Sequence, residues 1–129
     1  MQIDLLYGRG KLTLTLPDDV SSTIIRKPKM PRCEDARVAV TDALQSPVGV
    51  EPLARLARSA RSACIAVCDI TRPVPNHLFL RPVIETLTDS GIPTDRIIIL
   101  VATGLHRPNE GPELEELIGD TWVLKNVRV

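Results

Sequence analysis

Two short runs of apolar residues dominate the second half of the chain, and each of them ends in a polar loop. The first run covers residues 63–68 and the second covers residues 97–101, and apolar residues with helical spacing lie between them. Such runs are typical of strands in the centre of a sheet. A strand, a helix and a second strand in this order form a right-handed unit with parallel strands. The pattern predicts two neighbouring parallel strands, the second of them covered on both faces.

The beginning of the chain shows the alternation of an antiparallel hairpin. Residues 3–7 and residues 12–16 alternate between apolar and polar side chains, and the segment between them contains two glycines. A glycine-rich turn between alternating segments indicates a hairpin. Thr13 and Thr15 alternate with leucines, so the second strand is expected to be half-buried.

Helical patterns account for most of the remaining chain. We predict helices over residues 33–44, 51–60, from Pro75 or Asn76 to Gly91 and 113–118, and a strand over 122–129. Asn76 is a good N-cap, and proline is tolerated in a first turn. The strand pattern at the end of the chain stops without a cap or a polar tail, which favours an incomplete domain.

These elements predict an α/β fold, a three-layer Rossmann-like domain with a mainly parallel sheet and an N-terminal β-hairpin. Hydrophobic residues make up 43% of the 129 residues and charged residues 25%, which is typical of a folded domain. Aromatic residues make up only 2%, so the core must consist of aliphatic side chains. We predict a single domain over residues 1–129.

Charge and composition exclude several classes of function. Basic and acidic residues both number 16, so no excess of positive charge indicates a nucleic-acid partner. No apolar stretch approaches the roughly 20 residues that cross a bilayer. The first residues lack the basic and apolar regions of a signal peptide, so a cytoplasmic protein is expected. The three cysteines lack the spacing of a zinc site, and we expect them to be buried free thiols, with no metal ligand in the chain.

The candidate chemistry lies in the two loops that follow the predicted central strands. Asp69 and Arg72 follow the first strand, and His106 and Arg107 follow the second. The carboxyl ends of neighbouring parallel strands open onto a shared crevice, where ligands bind in open α/β sheets. We therefore expect these ionisable side chains to line one ligand site.

Each of these residues also has a structural interpretation. Asp69 can cap the helix that follows, or it can pair with Arg72. His106 can be an ordinary exposed imidazole, and Arg107 can cover the next helix. The residues alone leave these alternatives open.

Three further loop residues are candidates for cofactor binding. Thr71, Thr103 and Gly104 can offer hydroxyl and amide donors to a cofactor phosphate, as strand-to-helix loops often do, or they can simply shape the turns. No glycine-rich fingerprint or P-loop follows the first strand, which excludes the common nucleotide-binding versions of this fold.

The motifs in the two loops resemble the paired signatures of a known family. Residues 69–73 read DITRP and residues 102–108 read ATGLHRP, and both are similar to segments of the lactate racemase family, the nickel-pincer 2-hydroxyacid racemases. Other stretches agree in the family's order: YGRG at 7–10, LTLP at 14–17, SPVG at 46–49 and ELIG at 116–119. The resemblance covers nearly the whole chain and corresponds to the first part of the family's N-terminal domain.

The resemblance implies a racemase that interconverts the D and L forms of lactate or a related 2-hydroxy acid. The family's cofactor, a nickel-bearing pyridinium mononucleotide, accepts the substrate's α-hydride and returns it to either face. His106 matches the acid/base histidine, Arg72 matches the arginine that holds the carboxylate, and Asp69 matches the pocket aspartate. Histidine exchanges protons near neutral pH, and arginine offers a planar fork to a carboxylate, so the side chains suit these roles.

The match is incomplete in one respect. The family's second acid/base histidine, its cofactor-linked lysine and its nickel-binding histidine lie further along than Val129, and the chain's one other histidine is His77, in a predicted helix. The resemblance therefore implies that the rest of the N-terminal domain and a C-terminal domain complete the site. The isolated chain is expected to be inactive. The alternative is a non-catalytic small-molecule-binding or assembly module.

Overall fold

The N-terminal hairpin predicted from the alternating pattern is present. In a computed structural model that describes residues 1–129, strand β1 (Gln2–Tyr7) pairs antiparallel with β2 (Gly10–Thr15). The hairpin belongs to a compact unit, Met1–Arg32, that is separate from a second unit, Cys33–Val129. Every residue of β2 is exposed, because this unit has no second layer to cover a two-stranded ribbon. The prediction that the second strand of the hairpin is half-buried is therefore wrong. The single domain over residues 1–129 stays a prediction.

The second unit alternates helices and strands. In order, its elements are α1 (Ala36–Gln45), α2 (Leu53–Ala57), β3 (Ala63–Cys68), α3 (Asn76–Asp89), a 3₁₀ turn (Thr94–Arg96), β4 (Ile97–Ala102), α4 (Pro112–Ile118) and α5 (Thr121–Asn126). Helix α1 begins later than predicted because Asp35 is its N-cap and accepts hydrogen bonds from the N–H groups of Arg37 and Val38. Helix α2 has five residues and is shorter than predicted. None of the helices is both long enough and apolar enough to cross a membrane.

Strands β3 and β4 form the parallel pair that the sequence predicts. The register runs from Ala63 opposite Ile97 to Cys68 opposite Ala102. Helix α3 and the 3₁₀ turn connect the two strands. Both strands therefore end at the same edge, and the loops that carry the candidate chemistry begin there.

One face of this two-stranded sheet builds the core. Val67, Ile97 and Ile99 are buried on this face and belong to the same apolar cluster as Leu80 and Ile84 of α3. Successive residues of a strand point to opposite faces, so the burial of alternate residues means that the helices cover one side only. Helices α2, α4 and α5 contribute to the same cluster.

The opposite face of the sheet is open. Cys64, Ala66, Cys68 and Leu100 on this face are exposed, Leu100 by 54%. The prediction that the second strand is covered on both faces is therefore wrong, and so is the expectation of buried cysteines. The structure is a mixed α/β arrangement with a hairpin and a parallel pair of strands, and a third layer is not among the described residues.

The end of the chain is a helix where the pattern predicts a strand over residues 122–129. The Asp120 side chain caps α5 by accepting hydrogen bonds from the N–H groups of Trp122 and Val123, at 2.8 and 3.2 Å. Val123 inside the helix and Val127 directly after it are both buried. Only Arg128 keeps strand character, since it forms a single parallel bridge with β4.

Polar contacts fix α3 against the helices that follow β4. Arg81 donates two hydrogen bonds to Asp120, at 2.7 and 2.6 Å, and its guanidinium lies 5.0 Å from the centre of the Trp122 ring. The buried Asn76 does not cap its own helix, and its Nδ2 instead donates to the Leu117 carbonyl oxygen at 2.9 Å. Because α3 begins where the loop after β3 ends, these contacts hold the end of that loop next to the helices that follow β4.

Candidate functional site

The loops after β3 and β4 lie side by side and enclose a small concavity. Its volume is about 240 Å³, slightly below the roughly 300 Å³ at which ligand pockets usually begin. The residues that line it are Cys68, Asp69, Arg72, Ala102, Thr103, Gly104, Leu105 and His106. The structure thus brings Asp69, Arg72 and His106 together, as the sequence predicts.

Asp69 is the buried charge of this site, and it pairs with His106. Its Oδ2 contacts Nδ1 of the imidazole. Asp69 is 4% exposed, whereas 55% of the His106 side chain is exposed, so the imidazole is the part of the pair that faces solvent. Of the alternatives left open by the sequence, Asp69 neither caps α3 nor pairs with Arg72.

The second oxygen of Asp69 is held by Thr71. The Thr71 hydroxyl donates to Oδ1 at 2.6 Å, and the Thr71 backbone N–H donates to the same oxygen at 3.1 Å. The hydroxyl bond, followed by the bond from His106, lowers the pKa of Asp69 from 3.8 to about 2. Asp69 is therefore an anion at neutral pH.

This negative charge fixes the tautomer of His106. An ionised carboxylate only accepts hydrogen bonds, so the proton of the contact must be on Nδ1 of the imidazole. In the neutral ring, Nε2 then carries a free lone pair and can accept a proton. An aspartate that holds a histidine in this way is a frequent arrangement for general acid and base catalysis.

Arg72 lines the same concavity with an exposed and unpaired side chain. Its backbone N–H donates to the Asp69 carbonyl oxygen at 3.1 Å, which closes a turn after β3. The guanidinium forms no hydrogen bond or salt bridge within the chain. Its donors are therefore free to bind an anionic ligand such as a carboxylate.

The three residues predicted to bind a cofactor lie in these loops. The Thr103 carbonyl oxygen accepts the His106 N–H at 3.0 Å, and Gly104 has a φ of 59° inside this turn, a conformation that suits glycine. Both residues line the concavity, whereas Thr71 is committed to Asp69. Their role toward a cofactor stays a prediction.

Arg107 turns away from the concavity and binds a neighbouring helix. It donates two hydrogen bonds to Glu113 of α4, at 2.6 and 2.8 Å, and Asn109 Nδ2 donates to the same carboxylate at 2.9 Å. Arg107 therefore covers the following helix, which was its structural interpretation. The prediction that Arg107 lines the ligand site is wrong. Asn109 and Glu113 were not among the predicted site residues, although their separation by four positions, with Glu113 in the first turn of α4, is a signal for such a pair.

Comparison with models of known protein families gives a match that includes the candidate site and most of the chain. A family model described as "Lactate racemase N-terminal domain" matches residues 7–129.

The chain belongs to the lactate racemase N-terminal domain family.

Two curated lactate racemases are similar to it, each over 94% of this chain and 29% of the relative. The protein from Lactiplantibacillus plantarum is 35% identical over 127 residues, and the protein from Thermoanaerobacterium thermosaccharolyticum is 30% identical over 125 residues. The structure of the lactate racemase apoprotein from T. thermosaccharolyticum is similar with a TM-score of 0.75 and 28% identity, over 100% of this chain and 30% of that one. The chain thus spans less than a third of the length of these lactate racemases.

The family resemblance implies a cofactor that contains nickel, but the residues of this chain do not by themselves form a binding site for that metal ion. No group of three or more histidine, cysteine, aspartate and glutamate side chains in the chain is arranged to hold a metal ion. Asp69 and His106 are already bound to each other, and the cysteines of β3 lie on the open face of the sheet.

We expect Asp69 to stabilise the folded chain above about pH 4 and to lose this effect in acid. Its pKa is lower in the folded chain, about 2, than the ordinary 3.8, so the stabilisation is complete above 3.8 and disappears as the pH falls through about 2. Denaturant unfolding of the wild type and Asp69→Asn at a series of pH values checks this. The difference in unfolding free energy should shrink with falling pH, and a constant difference would contradict the prediction. Asp95→Asn, at an exposed position outside the site, is the control.

Proposed function

We propose that the chain forms the proton-transfer and carboxylate-binding part of a 2-hydroxyacid racemase, with lactate or a close relative as substrate. The observation that carries this proposal is the contact of the ionised Asp69 with His106, beside the unpaired Arg72, in one concavity. A 2-hydroxy acid presents a hydroxyl proton and a carboxylate on adjacent carbons, and these two groups match a base and a guanidinium. Membership of the lactate racemase family supports the same assignment.

In the proposed reaction, His106 takes the hydroxyl proton of the substrate at Nε2. Asp69 holds the opposite nitrogen, Nδ1, so the imidazole faces the substrate in one tautomer. When the ring becomes positively charged, the carboxylate of Asp69 stabilises it. In the reverse direction the same nitrogen returns the proton as a general acid, and the second acid/base histidine that the family resemblance places beyond Val129 is proposed to complete the reaction.

Arg72 is proposed to bind the substrate carboxylate. Two parallel N–H donors of the guanidinium match the two carboxylate oxygens, and the pair holds the substrate in one orientation. Because the carboxylate is charged before, during and after the reaction, this contact acts on both ground state and transition state.

The α-hydride requires an acceptor that these residues do not provide. When bound, the nickel-bearing pyridinium nucleotide implied by the family resemblance supplies that acceptor. Thr103 and Gly104 are proposed to contact its phosphate group from the loop after β4. Thr71 is proposed to support the site by holding Asp69 with its hydroxyl and its backbone N–H. The nickel ligands would come from other parts of the protein.

The remainder of the N-terminal domain and a C-terminal domain are the proposed partners of this chain. The open sheet face with Cys64, Ala66 and Leu100 is apolar and exposed. Covering it with a further layer would give the three-layer Rossmann-like arrangement, in which parallel sheets are packed on both faces. The greater length of the related lactate racemases supports such a completion.

The test compares the isolated chain with the full-length protein loaded with its cofactor. We expect the full-length holoenzyme to convert either enantiomer of a short 2-hydroxy acid to the racemic mixture, as measured by chiral chromatography. The isolated chain with added cofactor should show no turnover above background, because the concavity is open and the hydride acceptor has no metal ligands there. Turnover by the isolated chain would refute the division of the site. A loaded full-length protein that binds 2-hydroxy acids without racemising them would favour the binding module.

A further inference from the structure

We infer that Asn109 is a positioning residue that ties the loop after β3 to the loop after β4 and thereby holds Asp69 and His106 in contact. This inference rests on the proposed function for its catalytic consequence. The structural tie itself can be tested without any activity. Neither the sequence motifs nor the family match assigns a role to this residue.

The side chain of Asn109 reaches across to the other loop. Its Oδ1 accepts a hydrogen bond from the Ile70 backbone N–H at 3.3 Å, across 39 positions of the sequence. Ile70 directly follows Asp69, and Asn109 lies three residues after His106. The bond therefore joins the two loops beside the two residues that form the acid/base pair.

The other end of the same amide is anchored to helix α4. Nδ2 of Asn109 donates to Glu113 Oε2 at 2.9 Å, and Arg107 holds both oxygens of this carboxylate. These contacts, with Arg107 as the larger cause, lower the pKa of Glu113, so it is an anion and can only accept hydrogen bonds. A continuous set of contacts thus runs from Ile70 through Asn109 and Glu113 to Arg107.

This position requires an amide. Ile70 offers a donor and Glu113 offers an acceptor, so the residue between them must accept on one side and donate on the other. Aspartate can accept from Ile70, but it places a second carboxylate against Glu113. Alanine removes both bonds and leaves the Ile70 N–H unpaired.

Capping of α4 does not explain Asn109. The N-cap of α4 is Gly111, and no side chain caps that helix. Both hydrogen bonds of the Asn109 amide go to Ile70 and to the Glu113 side chain, and none goes to a backbone N–H of α4. Asn109 is half-buried, which shields these bonds from water.

The first experiment measures the pKa of Asp69 by NMR of the carboxyl carbon in the 129-residue chain. In the wild type this pKa is about 2, and in Asn109→Ala we expect it to rise part of the way toward 3.8, because the bond to His106 weakens when the loops separate while the bonds from Thr71 are kept. Beside the pair, Glu113 interacts with Asp69 through its charge, and Arg72 lines the same concavity. Asn126→Ala is the matched control, since Asn126 also donates from Nδ2 but to a carbonyl oxygen within α5, away from the site. An unchanged Asp69 pKa in a folded Asn109→Ala chain overturns the inference.

A paired substitution keeps the inference testable where Asn109→Ala does not fold. In Asn109→Asp the contact with Glu113 becomes repulsive, and adding Glu113→Gln restores a donor that points the opposite way. We expect the Asp69 pKa to rise in Asn109→Asp and to return at least halfway toward its wild-type value in the double variant. Failure of Glu113→Gln to restore it would overturn the inference as well.

The catalytic consequence is measured in the full-length holoenzyme. We expect Asn109→Ala to lower kcat about tenfold or more with little change in KM, because supporting partners of this kind typically contribute 10- to 100-fold. Wild-type kcat in Asn109→Ala, together with a shifted Asp69 pKa, would show that the tie has no effect on catalysis and would overturn the catalytic part. Absence of racemisation in the wild type would instead overturn the proposed function and leave the NMR result to decide the tie.

Discussion

Replacing His106 with alanine in the full-length holoenzyme is expected to lower kcat by about 10²–10⁴-fold, the usual contribution of a general acid or base. The KM for lactate should change little, because the carboxylate contact of Arg72 is retained. The physical reason is that Asp69 holds the imidazole at Nδ1 and leaves Nε2 free to take the hydroxyl proton. Rates of racemisation across the pH range, measured from each enantiomer, check the prediction.

His77→Ala is the matched control for this substitution. His77 is the other histidine of the chain, is exposed on α3 and does not line the concavity. We expect near-wild-type kcat from this variant. Near-wild-type activity of a folded His106→Ala protein would make the loop after β4 a structural turn.

Replacing Arg72 with alanine is expected to lower kcat/KM about 100-fold or more and to raise KM. A hydrogen bond to a charged group contributes about 1.5–3 kcal/mol. The proposed contact of Arg72 with the carboxylate has two such bonds, so its loss should cost at least this amount of binding free energy. Turnover should fall as well, because a substrate held loosely spends less time aligned with His106. Steady-state kinetics with lactate separate the two constants. Arg72→Lys should lie between the wild type and alanine, since lysine keeps the charge without the planar fork.

Arg96→Ala serves as the control for the loss of a positive charge. Arg96 is exposed in the 3₁₀ turn before β4, at the opposite end of the strand from the site. Its replacement should leave both kinetic constants unchanged. An Arg72→Ala enzyme with an unaltered KM would exclude Arg72 as the carboxylate ligand.

The strands and loops that carry the site could be predicted from the sequence because they depend on local patterns. The apolar runs located β3 and β4, and the polar residues after them located the concavity with Asp69, Arg72 and His106. The strand expected at the end of the chain was wrong because Val123 and Val127 fit a strand as well as a helix. The capping by Asp120 decided between them.

Contacts between distant segments could not be predicted in the same way. The sequence offered a helix cap, a pair with Arg72 or a place in the pocket for Asp69. It did not predict the contact with His106, because that contact depends on how the two loops approach each other in space. The exposure of Leu100 is a similar case. An apolar strand shows that a covering layer is favourable, and it does not show which segment provides that layer.

The contact between Asp69 and His106 also has a consequence for folding. The two residues are 37 positions apart, and the segment between them contains α3 and the whole of β4. The entropy cost of closing that loop must be met before the pair can form, and local contacts within α3 contribute nothing to it directly. The pair therefore depends on the docking of β3 against β4, and any local opening that separates these two strands also separates Asp69 from His106.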